Sequence, residues 1–343
     1  MEVDARPRTQ LLAAHLTRSG NLHGGNFRYN TSLLSRAVTW EHTLRARRPR
    51  IGAVRLTIVH DEESLESSHG AAVDMHRLDP ASLAAPSSVA PNDLRWLAYE
   101  RLLDAPDEQN GIGPEDCLVA IDVGDVGIIG NATALCANYP RALFAASDAC
   151  GVGGARGVKA WLRGQALKAN FSLTSAPLLH TFLSMRTLVP IVFNCGVTGG
   201  SRSVFVPFVR AMASAIRAHH AQHPVAGQLI DMLVFNELVL RRLAADSTET
   251  LLRGPRDALG WNRSVVTGWP LGTLNLPMFG FFCGQDPCTI SSRNATPRRH
   301  CSVCGHCLSR HVLSIAPAYQ FAHKVPYLHH PCPLPQCAWT GAY

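Results

Sequence analysis

The sequence predicts an α/β fold in which a mainly parallel sheet is flanked by helices. Stretches with apolar residues at helical spacing alternate along the chain with short apolar runs typical of buried strands. Three of those runs are followed by an acidic or amide side chain, and ligands of parallel sheets gather at the carboxyl ends of strands. With 343 residues and a hydrophobic content of 46%, the chain can enclose a large core.

The predicted elements follow one another in that alternation. The first strand is IGAVRLTIVHDE at 51–62, and the helix NDLRWLAYERLLDA at 92–105 begins with Asn92 or Asp93 as its N-cap. Two apolar strands, a helix, a third apolar strand that ends in a glycine-rich turn, and two amphipathic helices come next, at 116–123, 142–150, 158–169, 189–202, 204–223 and 228–245.

The chain divides into two regions near residue 270. Residues 1–270 contain the predicted sheet and helices and form the expected ligand-binding core. Residues 271–343 are dense in Pro, Cys and His and have weak helical periodicity, so we expect a cysteine-rich C-terminal region there.

The charge balance indicates a small anionic partner. The formal net charge of +7 suits an anionic ligand, but the basic residues are spread along the chain and the aromatic motifs of RNA-binding domains are missing from the sequence. We therefore expect no nucleic-acid partner. A nucleotide or another phosphorylated small molecule would use the same positive charge.

Other features favour the secretory pathway, in the Golgi or the ER lumen. Eleven cysteines and five N-x-[ST] sequons are typical of secreted proteins, the sequons lying at Asn30, Asn131, Asn170, Asn262 and Asn294. No run approaches the roughly 18 uninterrupted apolar residues of a membrane helix, so we expect no membrane span in this chain. The first twenty residues also lack the pattern of a signal peptide.

The segment CLVAIDVGDVGIIGN at 117–131 places Asp122 and Asp125 at the end of an apolar strand. Two interpretations are open. Mg²⁺ and Mn²⁺ bind one or two carboxylates together with substrate phosphates, and the glycines of this segment would allow close approach of a ligand. Alternatively, the pair belongs to a solvated turn. The spacing of three residues differs from the DxD of phosphoryl-transferring aspartate hydrolases.

Further candidates lie beyond this segment. FNCGVTGGSR lacks the spacing of a P-loop or of a dinucleotide-binding turn, so its Asn194 and Gly196 suit a sugar ligand or, alternatively, an ordinary turn. Asp231 lies among apolar residues in LIDMLVF, which distinguishes it from a solvated helix face. His323 would suit a metal and Lys324 a phosphate, although a His–Lys pair is more often exposed to solvent without binding a ligand.

A cysteine cluster dominates the C-terminal region. Its spacing, CxxCxxC with two further cysteines upstream, suits a structural Zn²⁺ site or a set of disulfides, and the residues are Cys283, Cys288, Cys301, Cys304 and Cys307. For a secreted chain we prefer disulfides. In either case we interpret the cluster as a stapled insertion outside the active site.

Taken in order, six short motifs resemble the GT-A type glycosyltransferases, a family of nucleotide-diphospho-sugar transferases, and more distantly the glycogenin-like enzymes. The resemblance covers roughly residues 50–325 and excludes the cysteine cluster. The motifs are NDLR at 92–95, DVGDV at 122–126, SD at 147–148, NCGVTGG at 194–200, DMLVFN at 231–236 and HK at 323–324.

The resemblance implies a metal and donor site. Asp122 and Asp125 would coordinate the Mn²⁺ or Mg²⁺ that bridges the diphosphate of a UDP- or GDP-sugar, and His323 would complete the ligands. Lys324 would contact a phosphate, and Arg95 would face the nucleotide. The three-residue spacing of the acids matches the nearer family, whereas glycogenin-like enzymes space them two apart.

The resemblance also implies a sugar and acceptor pocket. Asp148, Asn194 and Gly196 would line it, and Asp231 would lie close to the reacting carbon. If the reaction inverts the anomeric configuration, a carboxylate must act as general base on the acceptor hydroxyl, and Asp231 is the candidate. If configuration is retained, no such base is required.

These inferences predict a metal-dependent glycosyltransferase that moves a sugar from a nucleotide-diphospho-sugar to a glycan, protein or lipid acceptor. Two other classes remain open: a non-catalytic GT-A-like protein that binds carbohydrate or a partner, and an interaction module stapled by zinc. A hydrolase of nucleotide sugars would use the same site, with water replacing the acceptor.

Overall fold

A computed structural model describes most of the predicted core and little of the C-terminal region. The described residues are 8–16, 33–51, 53–83, 89–106, 111–121, 127–128, 136–137, 140–147, 151–184, 193–224, 228–246, 265–266 and 321–322. The five C-terminal cysteines singled out above lie outside them, so the division near residue 270 and the zinc or disulfide alternatives stay predictions.

The described residues form an α/β structure around a mostly parallel sheet, as predicted, while the GT-A type of that fold stays a prediction. The strands are β1 Thr9–His15, β2 Val54–His60, β3 Ser68–His69, β4 Val73–Arg77, β5 Cys117–Ile121, β6 Gly127–Ile128, β7 Leu143–Ser147, β8 Phe193–Ser201, β9 Val265–Val266 and β10 Phe321–Ala322. The helices are α1 Leu33–Ile51, α2 Pro91–Asp104, α3 Gly151–Lys168, α4 Pro177–Ser184, α5 Arg202–Gln222 and α6 Asp231–Asp246, and a short 3₁₀ turn spans Pro80–Leu83.

Eight strands form the main sheet in the order β3-β4-β2-β1-β5-β8-β7-β9. The pairs β4–β2, β2–β1, β1–β5 and β7–β9 are parallel. Strand β8 is antiparallel to both of its neighbours, and β3 is antiparallel to β4. Because β5 and β7 are both antiparallel to β8, which lies between them, those two strands run in the same direction.

The central strand β1 and the helix α1 were not predicted from the sequence. The run TQLLAAH has only seven residues in a polar surrounding, yet its Leu11, Leu12 and Ala13 are fully buried between two layers of helices. Helix α1 follows it and carries four arginines within residues 45–50, so the basic residues are concentrated in this helix and not evenly scattered as expected.

The core has two layers, one on each face of the sheet. On one face, Trp40 and Leu44 of α1 pack against alternate side chains of β1, β2 and β5. The opposite face is larger and is covered by α2–α6. Trp96 of α2 lies at its centre, with its ring centroid 6.2 Å from those of Phe208 and Phe235. Three helices therefore meet around one aromatic cluster.

The glycine-rich segment at 196–200 is part of a strand, so the predicted glycine-rich turn is wrong. Gly199 pairs with Val119 of β5, and a Cβ on Gly199 would lie 2.3 Å from the carbonyl oxygen of Leu118. Glycine is required there because the backbones of β5 and β8 approach closely. Asn194 consequently lies near the start of a strand and does not follow one.

A disulfide joins Cys117, the first residue of β5, to Cys136. Cys195 is buried and takes no part in a disulfide. Within the part of the chain that the structure describes, no helix combines the length and the apolar character needed to cross a membrane.

Replacing Gly199 with Ala tests the close approach of β5 and β8. The added methyl group would overlap backbone atoms that cannot move independently, so we expect the free energy of unfolding to fall by about 1–3 kcal/mol. Urea denaturation followed by circular dichroism measures it. The control is Gly164→Ala in α3, where a Cβ meets no atom within 4 Å. That change should raise the free energy of unfolding by roughly 0.5–1 kcal/mol, and equal effects at both positions would refute the argument.

Candidate functional site

The carboxyl ends of the parallel strands define the candidate site. Strands β1 and β2 end at His15 and His60, which are partners in the register, and β5, the other neighbour of β1, ends at the same edge of the sheet at Ile121. From β1 the chain first adds strands on one side of the sheet and then returns with β5 on the other. Such a reversal of strand order creates a crevice where ligands of α/β sheets bind.

Several predicted site residues directly follow, in the sequence, strands that end at this edge. Asp122 directly follows Ile121, the last residue of β5, and Asp148 directly follows Ser147, the last residue of β7. Ser147 pairs with Phe193, the first residue of β8. Because β8 is antiparallel, its start lies at the edge where β5 and β7 end. Asp122, Asp125 and Asp148 themselves lie outside the described residues.

A short antiparallel pair links the DVGDV segment to the C-terminal region. Gly127 of β6 pairs with Ala322 of β10, and Ile128 pairs with Phe321. In the sequence, Asp125 stands two residues before Gly127 and His323 directly follows Ala322. His323 and Lys324 lie outside the described residues, but the strands next to the predicted metal ligands are neighbours.

Arg95 and Asp231, predicted separately, are in contact. The Nη2 atom of Arg95 lies 2.9 Å from Oδ2 of Asp231 and 2.7 Å from the sulfur of Cys195. The side chain of Asp231 is 1% exposed and that of Arg95 is 11% exposed. Cys195 stands between Asn194 and Gly196 in β8. The structure thus brings three of the six motifs to one buried cluster. The side chain of Asn194 is not among the described ones.

The hydrogen bonds of Asp231 limit what its carboxylate can do. Its Oδ1 accepts the backbone N–H of Met232 at 2.7 Å, and its Oδ2 accepts from Arg95 and from the Cys195 thiol. Both oxygens therefore have donors, and a proton taken up by Asp231 would compete with the Arg95 guanidinium.

Asp93 is a second buried carboxylate, and sequence reasoning assigned it the wrong role. Helix α2 starts at Pro91 after Ala90, and no side chain caps it. The fully buried Asp93 instead accepts the backbone N–H groups of Ile230 and Asp231, at 3.1 and 2.8 Å. It therefore caps α6, and the helix N-terminus stabilises its negative charge.

His220 of α5 completes this arrangement. Its Nε2 lies 2.8 Å from Oδ2 of Asp93, and both side chains are at most 1% exposed. One carboxylate therefore joins α2, α5 and α6. Asp93 and His220 stand 127 residues apart, so no local pattern in the sequence signals their contact.

Asn236 connects the same helix to the start of β8. Its Oδ1 accepts the backbone N–H of Phe193 at 3.0 Å, and its Nδ2 donates to the carbonyl oxygen of Phe193 at 2.9 Å. Both atoms of one amide thus bracket one residue of β8. The position of Asn194, the next residue, consequently depends on α6.

Burial raises the pKa of Asp93 to about 6, and the negative charge of Asp231 acts in the same direction. The hydrogen bonds from His220 and Ile230 oppose this change in pKa. Between about pH 4 and pH 6 the folded protein therefore holds a proton on Asp93 that the unfolded chain releases.

Among the described residues, no group of three or more His, Cys, Asp or Glu side chains is arranged to hold a metal. The predicted metal ligands Asp122, Asp125 and His323 are outside those residues. The two carboxylates are ligands that suit Mn²⁺ or Mg²⁺.

Comparisons with known proteins do not identify a family. No protein-family model matches the chain, and a search of curated proteins finds no match. The functional argument therefore depends on the fold and on the chemistry of the site.

Replacing Arg95 with Leu tests the buried ion pair. The change leaves the Asp231 carboxylate buried without its cation, so we expect the free energy of unfolding to fall by about 3–5 kcal/mol. Urea denaturation measures it. The double variant Arg95→Leu/Asp231→Leu should recover part of this loss because no buried charge is left unpaired.

The matched control for this variant is Arg210→Leu, which breaks the exposed pair with Asp104. Exposed ion pairs contribute little, so stability should hardly change. An Arg95→Leu variant as stable as Arg210→Leu would contradict the importance of the buried pair.

The carboxyl of Asp93 should titrate near pH 6 and not near 3.8, the ordinary value. ¹³C-carboxyl NMR measures this, with the resonance assigned by its loss in Asp93→Asn. Because the folded pKa is the higher one, the contribution of this group to stability is largest at low pH and declines as the pH rises from about 4 to about 6. A midpoint below 4 would contradict the dominance of burial.

Proposed function

We propose that the protein is a metal-dependent glycosyltransferase of the GT-A type, which transfers a sugar from a nucleoside-diphosphate sugar to an acceptor hydroxyl. The observation that carries the proposal is the shared sheet edge. The strands that precede Asp122 and Asp148 end there, β8 starts there one residue before Asn194, and the Arg95–Asp231 pair adjoins β8 through Cys195.

The topology supports a nucleotide ligand at this edge. The reversal of strand order lies between β1 and β5, and the DVGDV segment follows β5 directly. Carboxylates at such a position need a cationic partner if they are taken out of water. A metal-bound diphosphate is one ligand that supplies it and suits the +7 net charge of the chain.

The β6–β10 pair supports a metal site that draws ligands from two segments far apart in the sequence. It joins residues adjacent to Asp125 and residues adjacent to His323. Asp122, Asp125 and His323 would hold Mn²⁺ or Mg²⁺. Such an ion, when bound, acts as a Lewis acid that stabilises the negative charge of a diphosphate leaving group. Lys324, next to His323, would contact a phosphate.

The buried cluster supports the acceptor side. Asp231 would take the proton of the acceptor hydroxyl if configuration is inverted, and Arg95 orients its carboxylate. Asp148, Asn194 and Gly196 would line the sugar pocket. The disulfide Cys117–Cys136 is consistent with an oxidising compartment and so supports a location in the secretory pathway.

One observation favours a second candidate, a protein that binds a nucleotide sugar or a glycan without turnover. The carboxylate of Asp231 is 1% exposed and has hydrogen-bond donors on both oxygens. A carboxylate enclosed in this way can serve only to hold the backbone and neighbouring side chains in place, without acting as a base. Binding without product formation would identify this candidate.

Thermal unfolding with UDP or GDP, each with and without Mn²⁺, tests the proposal. A ligand that binds only the folded state raises the free energy of unfolding, by about 2.7 kcal/mol at a hundredfold excess over Kd, and Tm rises with it. We expect a metal-dependent increase with one of the two nucleotides. Asp122→Ala and Asp125→Ala should each abolish that increase.

The matched control is Glu115→Ala. Glu115 is an exposed acid that precedes β5 at the opposite edge of the sheet, and its loss should leave the nucleotide effect unchanged. An increase in Tm that survives both aspartate variants, or that needs no metal, would contradict the proposed metal site.

A further inference from the structure

His60, the last residue of β2, is buried in an unusual state. Its side chain is 0% exposed, and neither ring nitrogen has a hydrogen-bond partner among the described residues. Nearly all buried polar atoms in folded proteins are paired, so each exception requires an explanation. The buried His220 differs because its Nε2 is bonded to Asp93.

The neighbours of His60 lie at the candidate site edge. His15 of β1 and Arg77 of β4 are its partners in the two registers. Nε2 of His15 lies 3.4 Å from Oε1 of Glu62, whose side chain is 34% exposed and is the most exposed of the two imidazoles and two carboxylates in this group. Asp61, the residue after His60, is 4% exposed. Two imidazoles and two carboxylates therefore surround the end of β2.

The chemistry of this group determines which ligand it fits. Burial and the nearby charge of His15 lower the pKa of His60, so its ring is neutral at pH 7, with one nitrogen that donates and one that accepts. The carboxylates of Asp61 and Glu62 outnumber the one guanidinium of Arg77 near His60, so the group disfavours a phosphate. A hydroxyl group both donates and accepts, and carboxylates and imidazoles together suit neighbouring hydroxyls on one ring.

We propose that His60, with His15 and Glu62 beside it, is a binding site for the hydroxyl groups of a sugar ring. The ligand chemistry is shared by two sources, the ribose of a nucleotide and a hexose of a donor or acceptor glycan. The ribose source deepens the proposed function and rests on it. The hexose source requires only that the protein binds carbohydrate.

The unpaired imidazole gives the proposal a direct test, because a group kept for a ligand is not needed for folding. His60→Leu removes both nitrogens and keeps an apolar side chain of similar volume, so the free protein should have an unchanged or higher Tm. His220→Leu is the matched control. It removes a bonded imidazole and should lower Tm.

Ligand binding by the same variant identifies the source. Calorimetric titrations of wild type and His60→Leu use UDP and GDP with Mn²⁺, the 2′-deoxy analogue of each with Mn²⁺, and free galactose and glucose. If the site holds ribose, wild type prefers the ribonucleotide that it binds over the deoxy analogue, and His60→Leu weakens binding of that ribonucleotide by about fivefold or more, with little effect on the analogue. If it holds a hexose, the loss of about fivefold appears with a free sugar instead. His60→Gln, which retains a donor and an acceptor, should restore part of the affinity.

Two results would overturn the inference: an affinity of His60→Leu equal to that of wild type for every probe, or a loss of stability as large as that of His220→Leu. A wild type that binds free hexose but no nucleotide would refute the nucleotide-dependent transferase. The free-sugar titrations of wild type and His60→Leu would then decide whether His60 binds a hexose. A wild type that binds none of the probes would refute both.

Discussion

The arrangement of the site edge depends on the buried carboxylate of Asp93. A charge in the interior has to be compensated, and here the compensation comes from two backbone N–H groups at the start of α6 and from His220 of α5. Three helices are thereby held at their ends around one anion. The position of α6 then fixes Asp231 at its first turn and Asn236 one turn further on. The interaction is thus both a stability element and the geometric reference of the site.

Strand β8 connects helix α6 to the sheet. Asn236 brackets Phe193 at the start of β8, and Thr198 further along the strand donates from its hydroxyl to the carbonyl oxygen of Phe144 in β7. Since β8 is antiparallel, it brings its first residues to the edge where its parallel neighbours end. A strand in the other direction would carry Asn194 to the opposite edge. The direction of one strand therefore decides which polar residues share the site.

Local patterns predicted the elements whose periodicity is strong. The strands β2, β5 and β7 and the helices α2, α5 and α6 were expected at nearly the observed positions. Strand β1 was missed because seven residues in a polar context give too little periodicity, although its burial makes it central. The glycines of β8 indicated a turn because close contact between two strands leaves the same signature as a turn. The role of Asp93 depends on partners distant in the sequence, so no local rule assigns it.

The disulfide between Cys117 and Cys136 has a consequence for the acids between them. The two Cα atoms are 5.7 Å apart and the residues are 19 apart in sequence, so the chain from β5 through Asp122 and Asp125 returns to its own starting point as a covalent ring. Closing a ring of this size removes roughly 3 kcal/mol of chain entropy from the unfolded state. Reduction of the bond would open the ring while leaving both carboxylates chemically intact. The oxidation state of the surroundings thus becomes a variable that acts on the segment carrying the acids and not on the acids themselves.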